Sequence, residues 1–316
     1  MTSRHLVDPQ LLPLLDALPD VAMSAETLSA RRARPRVFQP DPLDVGITDL
    51  QVRMIPGPKG APEVEVLVYR PSGSPDLLPC ILHFHGGGYV AGDAQGLEAG
   101  HRRLVADLRC ALVSVNYRLA PETVFPGALE DGYAALSWIV GRAGELGVDT
   151  TRLGVMGESA GGGLAAGLTL LARDRGEHRL AFQHLLYPSL DDRTSTMSEP
   201  HPFTGEFLVT PAVHRCAWTS LLGFEPGGEG VSPYAAPARA EDLTSLPPAY
   251  IATGSLDLGL EAHLEYARRL TRAGVPTELH VYRGAFHGFP LAHKSDVARA
   301  AARDARAALA RALAPS

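Results

Sequence analysis

The chain has 316 residues, 45% of them hydrophobic and 20% charged, with a formal net charge of -6. That length supports a sizeable core in one large domain or two modest ones, and the balance is that of an ordinary soluble globular protein. It excludes the basic footprint of a nucleic-acid binder, the three scattered cysteines exclude a disulfide framework or a zinc site, and no segment is long and apolar enough to span a membrane.

The first twenty residues, "MTSRHLVDPQLLPLLDALPD", are interrupted by Asp8, Pro9, Pro13 and Asp16 and lack the apolar core of a signal peptide. With Cys80 and Cys110 in apolar stretches and Cys216 far away, this reads as a cytoplasmic protein. Residues 1 to about 45 combine a short leucine pattern (Leu11, Leu12, Leu15, Leu18) with the arginine- and proline-rich "ARRARPRVFQPDPLD". Two readings fit: a disordered leader, or a helical flap that needs another surface to bury its leucines.

Beyond that point strands and helices alternate. "EVEVLVYRP" has period two and predicts a strand, and "PCILHFHGGG" a strand running into a glycine loop. The amphipathic helix "EAGHRRLVADLR", the strand "CALVSVNYRL" and the long helix "GALEDGYAALSWIVGRAGEL" follow. "TRLGVMGES" predicts a strand, "AGGGLAAGLTLLARDRG" a closely packed helix and "LAFQHLLYP" a further strand. Later come the strand "PPAYIATGSLD", the helix "GLEAHLEYARRLTRAG", the strand and loop "TELHVYRGAFHGF" and the closing helix "SDVARAAARDARAALARALA". This order predicts an α/β fold with a mostly parallel sheet covered on both faces. The interval from about 194 to 240 breaks the pattern and reads as an insertion above the sheet.

Ser159 in "GESAGGG" follows a strand and opens a helix, with Gly157 and Gly161 on either side. That context suits a strained nucleophile turn, in which strand and helix approach too closely for larger neighbours. It equally suits a serine N-cap. "HFHGGGYV" favours the first reading, because a glycine run after a strand can aim several N–H groups at a developing oxyanion. There is no G-K-[ST] to make it a phosphate loop. His83 and His85 share a strand face but have no suitably spaced third metal ligand, so His85 is expected to brace the loop. The base is expected to be His287 in "GAFHGF", between Phe286 and Phe289. The orienting acid is expected at the end of a strand between serine and histidine. Asp257 in "YIATGSLDLGL" is placed for this, with Asp191 and Asp192 as competitors after the preceding strand.

"HGGG" at 85–88, "YRLAPE" at 117–122, "FPGALEDGYAAL" at 125–136, "GESAGG" at 157–162 and "FHGF" at 286–289 occur in the order found in the bacterial hormone-sensitive-lipase-like esterases. From about residue 45 onward the chain resembles that branch of the α/β-hydrolase fold. The resemblance implies an eight-stranded, mostly parallel sheet, a catalytic domain over 46–316, and a helical cap built from residues 1–45 and an insertion at about 194–240. It also implies Ser159, Asp257 and His287 as the triad, and the N–H groups of Gly87, Gly88 and Ala160 as the oxyanion site. The cap offers Phe207, Leu208 and Val209, with Leu11, Leu15 and Phe38 from the leader, as acyl-pocket walls. Glu158 stands where the family usually has Asp, and the family's Asp-Pro-Leu is here Asp257-Leu258-Gly259-Leu260.

The function so implied is hydrolysis of short- to medium-chain esters through an acyl-enzyme, without metal or other cofactor. The partner is a small-molecule ester, with neither nucleic acid nor membrane insertion. Members of the family are often dimers through a sheet edge, but no interface signature for a homodimer is legible here. An amidase or formamidase on the same triad is the alternative within enzymes. A non-catalytic small-molecule receptor is the alternative outside them. Plant gibberellin receptors resemble these esterases but lack the catalytic histidine, whereas His287 is present here.

Overall fold

The computed structural model describes residues 2–17, 25–33, 45–74 and 77–315. Among these, eight strands form one sheet: β1 (Thr48–Ile55), β2 (Val64–Pro71), β3 (Leu78–Phe84), β4 (Ala111–Asn116), β5 (Val148–Glu158), β6 (Gln183–Leu186), β7 (Ala249–Gly254) and β8 (Thr277–Tyr282). Their spatial order is β1-β2-β4-β3-β5-β6-β7-β8. β2 is antiparallel to both β1 and β4, and every pairing from β4 to β8 is parallel.

The strand period sorts the core into two layers. Cys80, Leu82 and Phe84 of β3, Val113 and Val115 of β4, and Val66 and Val68 of β2 share one cluster. Their alternates Ile81, Leu112, Leu67 and Tyr69 belong to another. This is what side chains pointing to opposite faces at every second residue produce. The first face is covered by α4 (Gly127–Gly141), α6 (Ala160–Arg175) and α8 (Leu260–Arg272), and the second by α3 (Glu98–Leu108) and α9 (Asp296–Leu313). The long helix expected over 127–146 is two pieces, because the chain breaks at Arg142 before the short α5 (Ala143–Leu146).

Two segments lie outside this alternation. The leader contributes α1 (Leu12–Ala17) and α2 (Ala25–Arg32). Leu11 is fully buried in a cluster with Tyr250, Phe286 and Phe289, and Leu15 packs against the same cluster. Asp8 N–H donates to Gly284 O at 3.0 Å, and both the N–H and the hydroxyl of Ser3 donate to Glu206. Thus Leu11 and Leu15 fill the space between the last strands and α9, a correction to their expected place in an acyl wall. The insertion carries α7 (Pro211–Leu222), which begins at Thr210, whose hydroxyl accepts from Val213 N–H at 3.3 Å.

No helix among the described residues is long and apolar enough to cross a membrane. Cys80 and Cys110 are buried free thiols, and burial pushes the Cys110 thiol up to about 12.

Candidate active site

The topology switches at β3, whose neighbours β4 and β5 continue the chain on opposite sides. Crevices outside the carboxyl ends of strands at such a point are where open α/β sheets bind ligands. The segments that follow β3, β5, β7 and β8 converge there on a cavity of about 490 Å³.

Ser159 sits between β5 and α6 with φ 54° and ψ -119°, a backbone conformation rare for a residue with a Cβ. It is held by contacts on both sides. Its N–H donates to Leu186 O at 2.9 Å, and its carbonyl accepts from Gly163 N–H at 3.1 Å and Ser189 N–H at 2.9 Å. The flanking glycines are needed for space. A Cβ on Gly157 would stand 2.3 Å from Gly161 O, and one on Gly161 would stand 2.0 Å from Phe84 O.

His287 follows β8, and its Nε2 lies 2.8 Å from Ser159 Oγ. Its Nδ1 lies 2.8 Å from Oδ2 of Asp257, which follows β7. Asp257 is 2% exposed, and its Oδ1 accepts from Gly259 N–H at 2.8 Å. Burial pushes this carboxyl upward, but the neighbouring His287, the His263 ring and the Gly259 N–H outweigh it, so the carboxyl lies below its ordinary range. The competing carboxylates are engaged elsewhere. Asp192 is fully buried against Arg239 at 2.6 Å, and Asp191 holds Arg193 at 2.8 Å.

The glycine loop after β3 turns tightly, with Val90 N–H and Ala91 N–H both donating to Gly87 O. Gly87 has φ +132° and leaves no room for a Cβ, which would lie 1.9 Å from Ala91 O. Gly86, Gly87 and Gly88 line the cavity beside Ser159. Ala160 is the first residue of α6, where an N–H has no acceptor within the helix. His85 braces the loop from below. Its ring stacks on Tyr117 at 4.2 Å, and the Tyr117 hydroxyl donates to His85 O at 2.7 Å. Burial lowers the His85 ring to about 4, so it is neutral at pH 7. Arg118 and Asp131, from the two other quoted motifs, form an ion pair at 2.7 Å with Asp131 fully buried. From above, α2 closes on the loop: Arg32 donates to Val90 O at 2.7 Å and to Ala120 O at 2.9 Å, and Leu28 packs on Val90, Ala91 and Ala120.

Leu208 and Val209 line the cavity, together with Val213, His214 and Ala217 of α7. Phe207 does not, which corrects its place in the expected wall. Its ring meets Phe286 edge-on at 5.9 Å, within the cluster that holds Leu11. The chain reverses at Leu208, φ +60°, so neighbouring side chains diverge. Phe38 lies outside the described residues.

Two histidines were not legible as site residues. His263 Nε2–H donates to Pro188 O at 2.7 Å, so its Nδ1 accepts the Thr253 hydroxyl at 2.8 Å. It thereby ties the end of β7 to the segment after β6, next to Asp257. Its only signal is a place on the apolar stripe of "LEAHLEYARRL". His214 accepts Trp218 Nε1–H at 2.9 Å, so its Nδ1–H donates to Ser195 Oγ at 3.0 Å. No group of three or more potential metal ligands occurs among the described residues.

This arrangement is that of a hydrolase with a serine at a strand–helix turn. A family profile described as alpha/beta hydrolase fold matches residues 81–291. The chain belongs to the α/β-hydrolase fold family, in its hormone-sensitive-lipase-like branch. It is similar to esterase LipI of Mycobacterium tuberculosis, 35% identical over 290 residues that cover 90% of this chain and 88% of the relative. It is also similar to carboxylesterase NlhH of the same species, 35% identical over 294 residues, 91% and 90% of the two chains. Among solved structures, a bacterial heroin esterase superposes with a TM-score of 0.89 at 38% identity, covering 99% of this chain and all of the other.

Proposed function

We propose that this carboxylic ester hydrolase works through an acyl-enzyme on Ser159, with His287 as base and Asp257 as its orienting acid. The observation that carries the reading is the unbroken hydrogen-bonded chain from Ser159 Oγ through His287 to Asp257, with both links at 2.8 Å.

Asp257 accepts Nδ1–H, which leaves the Nε2 lone pair facing the serine hydroxyl. Ser159 Oγ attacks the ester carbonyl while its proton passes to Nε2. Negative charge then grows on the carbonyl oxygen, and the N–H groups of Gly87, Gly88 and Ala160 are the donors offered to it. The imidazolium, stabilised by Asp257, protonates the leaving alcohol. Water then attacks the acyl-enzyme, giving its proton to His287; the acyl–Oγ bond breaks, the carboxylic acid leaves and His287 returns the proton to Ser159 Oγ.

This reading takes its cap from residues 1–45, of which 1, 18–24 and 34–44 lie outside the described residues, and from the insertion at about 194–240. The cavity volume, about 490 Å³, and the walls from Leu208, Val209 and Val213 support short- to medium-chain acyl groups. The test is hydrolysis of a series of phenyl esters by the wild type and by Ser159→Ala, with a serine-directed phosphonate as label. The expected result is activity that is abolished in the variant, a phosphonate adduct at Ser159 alone, and a maximum in kcat/KM below long-chain esters. Labelling at another serine with parallel loss of activity overturns the assignment.

A further inference from the structure

The cavity beside Ser159 has an asymmetric charge, only part of which the proposed reaction uses. Its described lining contains the carboxylates of Asp93, Glu158, Asp191 and Asp257, and no lysine or arginine. Three of these already have duties. Asp257 orients His287, Asp191 chelates Arg193, and Asp93 accepts Gly96 N–H at 2.7 Å.

Glu158 differs. It immediately precedes the serine, its side chain is 17% exposed, and the group on it is His83 Nε2, 3.0 Å from one oxygen and 3.2 Å from the other. A carboxylate has about four acceptor sites, and a single N–H fills one. His83 is itself fully buried and fixed through Nδ1, 2.9 Å from the buried Ser114 hydroxyl of β4. The negative charge is therefore pinned at the cavity wall, one residue from Ser159, by a side chain rooted in the sheet, and His83 leaves acceptor positions on it unfilled.

We propose that Glu158 sets the charge preference of the site, favouring esters that carry a protonated amine or quaternary ammonium and disfavouring esters that carry a carboxylate. The inference rests on the esterase reading. A fixed anion in a partly enclosed cavity acts at reduced dielectric, where like charges cost affinity and opposite charges gain it. Asp93 adds to the same sign, whereas Asp191 is paired with Arg193, which is not among the lining residues; no lysine or arginine lies in the described lining.

The test uses three phenyl acetates, with a para substituent of trimethylammoniomethyl, the isosteric neopentyl, or the smaller carboxymethyl. The quantity read is the ratio of kcat/KM values within one protein, so that a general change in rate cancels. The wild type is expected to prefer the ammonium ester to the neutral one by about tenfold, and the neutral to the carboxylate ester by a similar factor. Both ratios should shrink at high salt and fall toward one in Glu158→Gln. Ratios near one in the wild type, or ratios unchanged in a folded Glu158→Gln, overturn the proposal. Should that variant not fold, inhibition of wild-type phenyl acetate hydrolysis by benzyltrimethylammonium, neopentylbenzene and phenylacetate decides. Equal inhibition by the three overturns it, and inhibition in the order cation, neutral, anion supports it. Failure to hydrolyse even the neutral ester would instead count against the esterase reading.

Discussion

Asp257 and Asp192 are both buried carboxylates that follow a sheet strand, yet they are placed for different work. Asp257 faces His287 at 2.8 Å, whereas Asp192 is closed in by Arg239 and by Gly227 N–H at 2.6 Å. Asp257→Asn should therefore lower kcat, on the order of the 10⁴-fold loss known for a triad aspartate in a serine protease, with a smaller loss of stability than Asp192→Asn. Asp192→Asn should do the reverse. It leaves Arg239 without its carboxylate and should cost about 3 kcal/mol of stability. Steady-state kinetics and denaturant titration of both variants check this, and a larger kinetic defect in Asp192→Asn would move the acid. At this scale a residue type and its place after a strand marked Ser159, His287 and Asp257, which the structure links by hydrogen bonds of 2.8 Å. The sequence was misleading at Phe207, whose direction depends on a reversal at Leu208 that no local pattern announces. His263 and His214 act through buried hydrogen bonds with distant partners, which spacing along the chain does not encode.

Close approach of β5, α6 and β3 governs the elements around the serine. Gly161→Ala places a methyl 2.0 Å from Phe84 O, a backbone atom that moves only if α6 separates from β3. The expected loss is ~2 kcal/mol or more, from overpacking, together with most of the activity, because Ser159 rides on the same turn. Gly100→Ala is the contrast. Gly100 lies in α3, is exposed, and a Cβ there meets nothing within 4 Å. It should stabilise by ~0.5–1 kcal/mol with activity intact. Thermal melts and ester kinetics on the pair separate the cost of lost space from the cost of glycine itself. A Gly161→Ala protein as stable as the wild type would mean the helix has slack that the geometry does not show. Buried elements were readable because their apolar runs have period two or 3.6. β1 was not, because it is an edge strand: of "TDLQVRMI", only Thr48 and Ile55 are buried. Its register comes from pairing with β2, and pairing leaves no hydrophobic signature on an exposed strand.

Across the whole molecule, the feature least visible in the sequence is where its histidines lie. Twelve occur in the chain, and of these the sequence placed only His83, His85 and His287. In the fold, His85 and His214 are lowered to about 4 and His184 to about 3, each first of all by burial. Histidine in the unfolded chain titrates near pH ~6.5. Below that pH the unfolded state binds protons that the folded state refuses, so stability rises with pH in this range. The contribution is fully present above pH ~6.5 and is lost as pH falls from there toward the folded values near 4. Each ring contributes up to ~1.4 kcal/mol per pH unit, and the three together ~4 kcal/mol per unit at the steepest. Asp257 acts in the same direction but lower down, since its depressed carboxyl gives stability that is lost only below the ordinary aspartate range. Denaturant titrations at pH 8, 7 and 5 should show little change between the first two and a steep fall between the last two. His184→Phe isolates one ring, which stacks on Tyr250 at 4.4 Å and keeps an aromatic there after substitution. That variant should unfold with about one proton less taken up at pH 5, and its stability should fall less steeply by ~1.4 kcal/mol per unit. A wild type whose stability is flat between pH 7 and 5, or a His184→Phe variant with the parent slope, would show that these rings accept protons without leaving the fold.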